Sequence, residues 1–212
     1  MKLQLALDVF SLPQALRLAE QTAEWVDIFE MGTPFLLEWG MEAVRQFRAR
    51  FPDKEILADT KIMDAGELEA ASAFQAGANY VTVLGVTDLA TVRACVETAN
   101  RWGGGAVADM ICVDNLPERV AQLEELGIHG LAVHTGVDQQ RQGRTPLDDL
   151  KAIRACRRRA AISVAGGITL ASLPQYAAWK PDVLIVGGGI ANAADPAREA
   201  RRIAEAMRAC GE

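Results

Sequence analysis

The feature that most constrains this chain is a repeat of pattern rather than of residues. Eight short, β-prone apolar runs recur along it, at Leu3–Leu7, Val26–Met31, Glu55–Asp59, Tyr80–Leu84, Ala106–Ile111, Gly130–His134, Ala161–Ala165 and Val183–Val186. Runs this apolar fit parallel strands covered on both faces. The segments between them carry helical spacing. Over Pro13–Glu24 the stripe is Ala15, Leu16, Ala19 and Ala23, and Leu12-Pro13 marks its start. Over Leu116–Leu126 the stripe is Val120, Leu123 and Leu126. Gln75-Ala76-Gly77-Ala78, Glu125-Leu126-Gly127-Ile128 and Trp179-Lys180-Pro181-Asp182 each close a helix just before a strand, and in the first two glycine supplies a left-handed residue. Strand and helix alternating in this way predict an α/β fold, a (β/α)8 TIM barrel, in one domain over residues 1–212. The competing fold is an open doubly wound sheet, which announces itself with GxGxxG after its first strand. Here that strand runs into Leu7-Asp8-Val9-Phe10, without glycine.

Composition narrows the function classes. With 212 residues and a net charge of −6, the chain is poorly matched to nucleic acid or an anionic membrane surface, and neither is expected as a partner. Arg154, Arg157, Arg158 and Arg159 fall on the helix expected before the seventh strand and read as a solvated face. No apolar run approaches the roughly 18 residues of a membrane helix, and Asp8 interrupts the first apolar stretch before it could serve as a secretory signal. Cys95, Cys112, Cys156 and Cys210 form no CxxC pair and fit neither a zinc site nor a disulfide framework, which points to a reducing, cytoplasmic setting.

In a barrel, chemistry collects where strands end. Those positions hold Asp8, Glu30, the stretch Asp59-Thr60-Lys61-Ile62-Met63-Asp64, Asp109 and His134-Thr135-Gly136. Alone, a strand-end aspartate often caps the following helix. Together at one mouth, unpaired charges would cost several kcal/mol each, so they call for partners. A divalent cation, a lysine and a substrate supply them. Carboxylates without a cysteine or histidine pair favour Mg2+, with Mn2+ also suited. Of the two histidines, His129 precedes the sixth strand and reads as a packing or surface residue, while His134 lies on the active face. Gly166-Gly167 follow the seventh strand and Gly187-Gly188-Gly189 the eighth, the two loops where such barrels bind phosphate. The second cluster has no arginine, so backbone dipoles carry the anion.

The Asp59–Asp64 stretch is a DxKxxD motif. With Glu30-Met31-Gly32-Thr33-Pro34 and His134-Thr135-Gly136, it resembles the family shared by 3-hexulose-6-phosphate synthase and 3-keto-L-gulonate-6-phosphate decarboxylase, with orotidine-monophosphate decarboxylase a remoter relative. The likeness runs from Leu3-Gln4-Leu5-Ala6-Leu7-Asp8 to Ala193-Ala194-Asp195-Pro196. It implies a homodimeric, Mg2+-dependent phosphosugar enzyme working through an enediolate. It also implies that Glu30 and Asp59 ligate the metal and that Asp8 and Lys61 belong to the substrate and charge network. By the same resemblance Asp64 would reach the neighbouring subunit's site, Asp109 stands where the decarboxylase has glutamate, and His134 matches a proton-transfer histidine. Gly166, Gly167, Gly187 and Gly188 bind phosphate.

Val137, Ala165 and Gly188 replace an arginine, a threonine and an arginine of the decarboxylase pattern, and resemble the synthase branch. The implied reaction is reversible joining of formaldehyde and ribulose 5-phosphate to 3-hexulose 6-phosphate. Either His134 or a nearby carboxylate takes the substrate proton. The alternatives are the decarboxylase, a non-catalytic phosphosugar-binding barrel, and a phosphopentose epimerase, which usually employs more than one active-site histidine.

Overall fold

The strands β1 (Lys2–Leu7), β2 (Ile28–Met31), β3 (Glu55–Ile62), β4 (Tyr80–Leu84), β5 (Gly105–Asp109), β6 (Gly130–His134), β7 (Ala161–Ala165) and β8 (Val183–Val186) each present two unlike faces. Successive side chains point to opposite sides of a strand. In β1, Leu3, Leu5 and Leu7 point outward and are buried in the hydrophobic core, while Gln4 and Ala6, followed by Asp8, face the interior cleft. The rule repeats around the barrel. Ile56 and Ala58, Leu131 and Val133, and Ile162 and Val164 face outward; Leu57, Ala132 and Ser163 face inward. Burying each outward leucine or isoleucine is worth about 1.5–3 kcal/mol, so the main core lies between barrel and helices. Small interior residues such as Ala6, Ala132 and Ser163 help leave a cleft that reaches from the mouth down to Gln4.

The computed structural model describes residues 1–210. All neighbouring strands pair in parallel and β8 returns to β1, closing a (β/α)8 TIM barrel. The helices are α1 (Leu12–Thr22), α2 (Thr33–Trp39), α3 (Met41–Arg50), α4 (Gly66–Gln75), α5 (Leu89–Trp102), α6 (Leu116–Glu125), α7 (Val137–Arg141), α8 (Leu147–Cys156), α9 (Leu173–Ala177), α10 (Gly188–Ala191) and α11 (Pro196–Ala209). No helix among them is long and apolar enough to cross a membrane. α1 starts where the Leu12-Pro13 signal placed it, behind a Ser11/Gln14 capping box. Its buried stripe is Ala15, Leu18, Ala19 and Thr22, shifted around the helix from the expected one, because Leu16 and Ala23 only flank the core. Gly77 and Gly127 take left-handed conformations at helix ends, and Lys180 does the same before β8.

Other boundaries shift as well, and β2 starts at Ile28 rather than Val26. β5 stops at Asp109, not Ile111, and β3 continues through Lys61 to Ile62. The arginine run is not a helix face: α8 ends at Cys156, and Arg157–Arg159 form the connection to β7. That connection is anchored by buried Glu124, whose carboxylate accepts the backbone N–H groups of Arg158, Arg159 and Ala160. Burial opposes the charge of Glu124, but those three bonds hold its carboxyl below the usual range.

A second regularity organises the bottom rim. Asp27, Asn79, His129 and Asp182 stand immediately before β2, β4, β6 and β8. Their backbone N–H groups donate to the carbonyls of Leu3, Ile56, Ala106 and Ile162. Their side chains accept the N–H of those same residues in return, at 2.8, 2.8, 3.1 and 2.8 Å. Each odd strand is thus pinned at its second residue by the residue preceding the next even strand. His129 is a packing residue in this specific sense: Nδ1 accepts, so that nitrogen carries no proton. Burial pushes its pKa below the ordinary 6.5. The unfolded chain therefore binds the extra proton first, and the lock's contribution is complete above about pH 6.5 and lost as pH falls below it. Replacing His129 with Asn keeps an acceptor, as at Asn79, without a titrating ring. The drop in unfolding temperature between about pH 7.5 and 5.5 should be smaller in His129→Asn than in the parent, read by calorimetry.

Candidate active site

β3 carries the centre of the site. Its register against β4 jumps from Ala58↔Val81 to Ile62↔Val83, and Lys61 within the irregular stretch has φ +46°. There the Lys61 Nζ lies 2.7 Å from Asp59 Oδ2 and 2.9 Å from Asp109 Oδ2. Asp109, the last residue of β5, in turn meets His134 Nδ1 at 3.0 Å and accepts the N–H of Ile111 at 3.0 Å. Asp59, Lys61, Asp109 and His134 therefore form one continuous polar chain across β3, β5 and β6. Burial opposes the Lys61 charge, yet the two carboxylates outweigh it and hold the ammonium above its ordinary value. Burial likewise opposes ionisation of Asp109, but its bond to His134 and the adjacent Lys61 charge hold its carboxyl at about 2. An ionised carboxylate only accepts, so His134 Nδ1 carries the proton in this pair. Nε2 is then the nitrogen free to act as a base.

Glu30 and Asp8 add two crowded carboxyl groups beside this chain. Glu30 is buried and accepts Gln4 Nε2 at 2.6 Å. Burial, then the charge of Asp59, pushes its carboxyl well above the usual range. Asp8 is raised for the same two reasons in the same order. The carboxylate of Asp8 fits because residue 32 is glycine: a Cβ there would stand 2.2 Å from Asp8 Oδ1. Crowded carboxylates with one lysine among them form an all-oxygen donor set short of positive charge. Among the described residues no three His, Cys, Asp or Glu side chains form a ready metal-ligand set. Two carboxylates with substrate and water oxygens are how Mg2+ is generally held, so Glu30 and Asp59 fit that ion.

Above the charges sit the glycine loops. Gly166 has φ +126°, and a Cβ on it would meet the Thr135 carbonyl oxygen at 2.9 Å. Gly187 precedes the short α10, and both glycine loops line the same cleft as Asp8, Glu30, Asp59, Lys61, Asp109 and His134. The cleft measures about 930 Å3. Its lining contains no arginine among the described residues, so Lys61 is the one fixed cation it offers an anion, beside backbone N–H groups and neutral donors such as Asn192. Asp64 is the exception among the expected site residues: it is exposed, outside this cleft, and its carboxylate accepts the Ala65 N–H.

Sequence reading missed the groups that hold the charged ones. Thr33 donates to Asp59 Oδ2 at 2.9 Å, Thr82 donates to Asp59 Oδ1 at 2.7 Å, and Gln4 fixes Glu30. The available signal was alternation: Gln4 and Thr82 are polar residues on the inward period of otherwise apolar strands.

The family profile for orotidine 5'-phosphate decarboxylase / HUMPS matches residues 1–203. A 3-hexulose-6-phosphate synthase of Staphylococcus epidermidis is 42% identical over 207 residues, covering 98% of this chain and 99% of that protein. The Bacillus subtilis 3-hexulose-6-phosphate synthase is 41% identical, covering 96% and 97%. Among solved structures, 3-hexulose-6-phosphate synthase from Salmonella typhimurium superimposes with a TM-score of 0.97 at 51% identity, over 99% of this chain and 100% of that one. A ligand-bound structure of KGPDC from Streptococcus mutans gives 0.93 at 28% identity, over 100% and 99%.

The shared ammonium has a stability consequence. Replacing Lys61 with Met leaves two largely buried carboxylates without their common cation, and should cost about 3 kcal/mol in urea unfolding at neutral pH. Adding Asp109→Asn to that variant should recover part of the loss.

Proposed function

The chain belongs to the orotidine 5'-phosphate decarboxylase / HUMPS family, and from that premise we propose that it joins formaldehyde to ribulose 5-phosphate, reversibly, giving 3-hexulose 6-phosphate. The observation that carries this reading is the unbroken Asp59–Lys61–Asp109–His134 chain beneath two glycine loops. The likeness to 3-hexulose-6-phosphate synthases over nearly the whole length supports it.

The phosphate of the ketose is held by backbone N–H groups at Gly166, Gly167, Gly187 and Gly188. Its C1 then lies toward His134. Nε2 removes a C1 proton, because Asp109 keeps Nδ1 protonated and orients the ring. The C1–H electron pair becomes the 1,2-enediolate, and the protonated Lys61 stabilises that charge electrostatically. C1 attacks the formaldehyde carbon, and the formaldehyde oxygen takes back the proton from His134, so no proton is gained or lost overall. Glu30 and Asp59 are the residues that would hold Mg2+, with Mn2+ a possible substitute; when bound, the ion supplies Lewis-acid stabilisation of charge on the ketose oxygens. Asp8 completes the polar wall.

The same reading includes a second copy of the chain. Leu37 and Leu68 are 84% and 73% exposed, and Met63 and Val86 are also exposed, on the βα loops and helices flanking Asp64. Covering these side chains in a homodimer would carry Asp64 toward the neighbouring site. Four free cysteines suit a reducing cytoplasm.

A coupled assay with ribulose 5-phosphate and formaldehyde should show turnover that chelation abolishes and Mg2+ restores. Asp59→Asn should reduce it at least about 100-fold with the fold intact; unchanged activity would favour a barrel that only binds phosphosugar. Under the decarboxylase alternative the parent already decarboxylates keto-gulonate phosphate, and the triple variant Val137→Arg, Ala165→Thr, Gly188→Arg brings no gain. Under the synthase reading, that variant loses formaldehyde fixation and gains keto-gulonate-phosphate decarboxylation. Leu68→Glu should halve the mass measured by light scattering.

A further inference from the structure

Thr82 lies in the middle of β4, is 4% exposed, and points into the barrel. Its hydroxyl oxygen accepts the backbone N–H of Lys61 at 2.9 Å. An amide can only donate, so the single hydroxyl proton remains for Asp59 Oδ1, 2.7 Å away. One oxygen atom thus ties the Lys61 backbone to the Asp59 carboxylate. It does so where the β3–β4 ladder breaks and Lys61 adopts a left-handed conformation rare for residues other than glycine. A second bond at the break, from Thr60 Oγ1 to the Thr82 carbonyl at 2.8 Å, touches neither charged side chain.

We propose that Thr82 is a positioning residue for the reaction: its hydroxyl couples the kink at Lys61 to the orientation of Asp59, so that the ammonium and the carboxylate are presented to substrate as one rigid unit. Its kinetic arm rests on the synthase reading, and its metal arm rests on Asp59 as a ligand. Without the hydroxyl, Asp59 Oδ1 loses its donor and the Lys61 N–H loses its acceptor. The glycine loops after β7 and β8 are untouched, so phosphate binding persists. The loss therefore falls on the chemical step.

The experiment compares Thr82→Val, which keeps the side-chain shape, with Thr82→Ser, which keeps the hydroxyl. Thr60→Val serves as a control for simple weakening of the β3–β4 junction. Outer-shell partners of this kind are worth about 10–100-fold. Thr82→Val should lower kcat by that factor with KM for ribulose 5-phosphate within about threefold. Thr82→Ser should restore kcat to within about threefold, and Thr60→Val should lower the unfolding temperature with kcat unchanged. A Thr82→Val kcat within twofold of the parent, a Ser variant as slow as the Val variant, or an equal fall in kcat for Thr60→Val would each overturn the proposal. Mn2+ titration followed by electron paramagnetic resonance, without substrate, supplies the arm independent of turnover. Weaker binding by Thr82→Val but not by Thr82→Ser supports the proposal even if the parent fixes no formaldehyde, an outcome that would sink only the synthase reading. Equal Mn2+ titration curves for parent and Thr82→Val overturn it. Should Thr82→Val fail to fold, Thr82→Ala is read in the same two assays.

Discussion

The ammonium of Lys61 is shared between Asp59 and Asp109, at 2.7 and 2.9 Å, and the rest of the mouth is arranged around that sharing. Without it, two buried carboxylates on β3 and β5 would stand uncompensated. With it in place, Asp109 fixes the tautomer of His134, and Asp59 is an acceptor for Thr33 and Thr82. The surplus negative charge then falls on Asp8 and Glu30, whose carboxyls are both raised. That imbalance is what a bound cation would correct, and an anionic substrate arriving alone would deepen it.

Stability and chemistry occupy different faces of the same strands. Outward residues such as Leu3, Leu5 and Leu7 pack under the helices, while the inward period mixes small and polar residues with a few apolar ones such as Leu57 and Ile185. The interior gives up packing to make room for a ligand, and the outer layer and the bottom rim hold the fold together. Interior substitutions can therefore change polarity without emptying the main core.

Much of this was legible in the sequence because it rests on periodicity and punctuation. The strand runs, the glycine closures and the ionisable strand ends all depend on local patterns, and the structure places Asp8, Glu30, Asp59, Lys61, Asp109 and His134 around one cleft. What escaped notice depends on contacts between distant segments. Nothing local announces that Lys61 is left-handed, since the bonds that hold it there come from Thr82, 21 residues away in sequence. The arginine run looked helical because Ala152–Cys156 is; only Glu124, 34 residues earlier than Arg158, ends the helix by capturing the following amides. Asp64 shares a motif with Lys61 but not a cavity, because β3 ends between them.

The reciprocal pinning at the bottom rim has a bearing on where this chain can be interrupted. Each bracket joins an odd strand to the even strand after it, so the reciprocal locks group the strands in four couples, while single carbonyl bonds from the rim residues Asn79, His129 and Asp182 reach the next strand. New termini placed between couples, for instance in the connection from β2 to β3, sever no bracket. A break inside a couple, as between β1 and β2, leaves Leu3 and Asp27 to find each other without the short connection that joins them. Circular permutants and split halves of this barrel are accordingly best opened at couple boundaries.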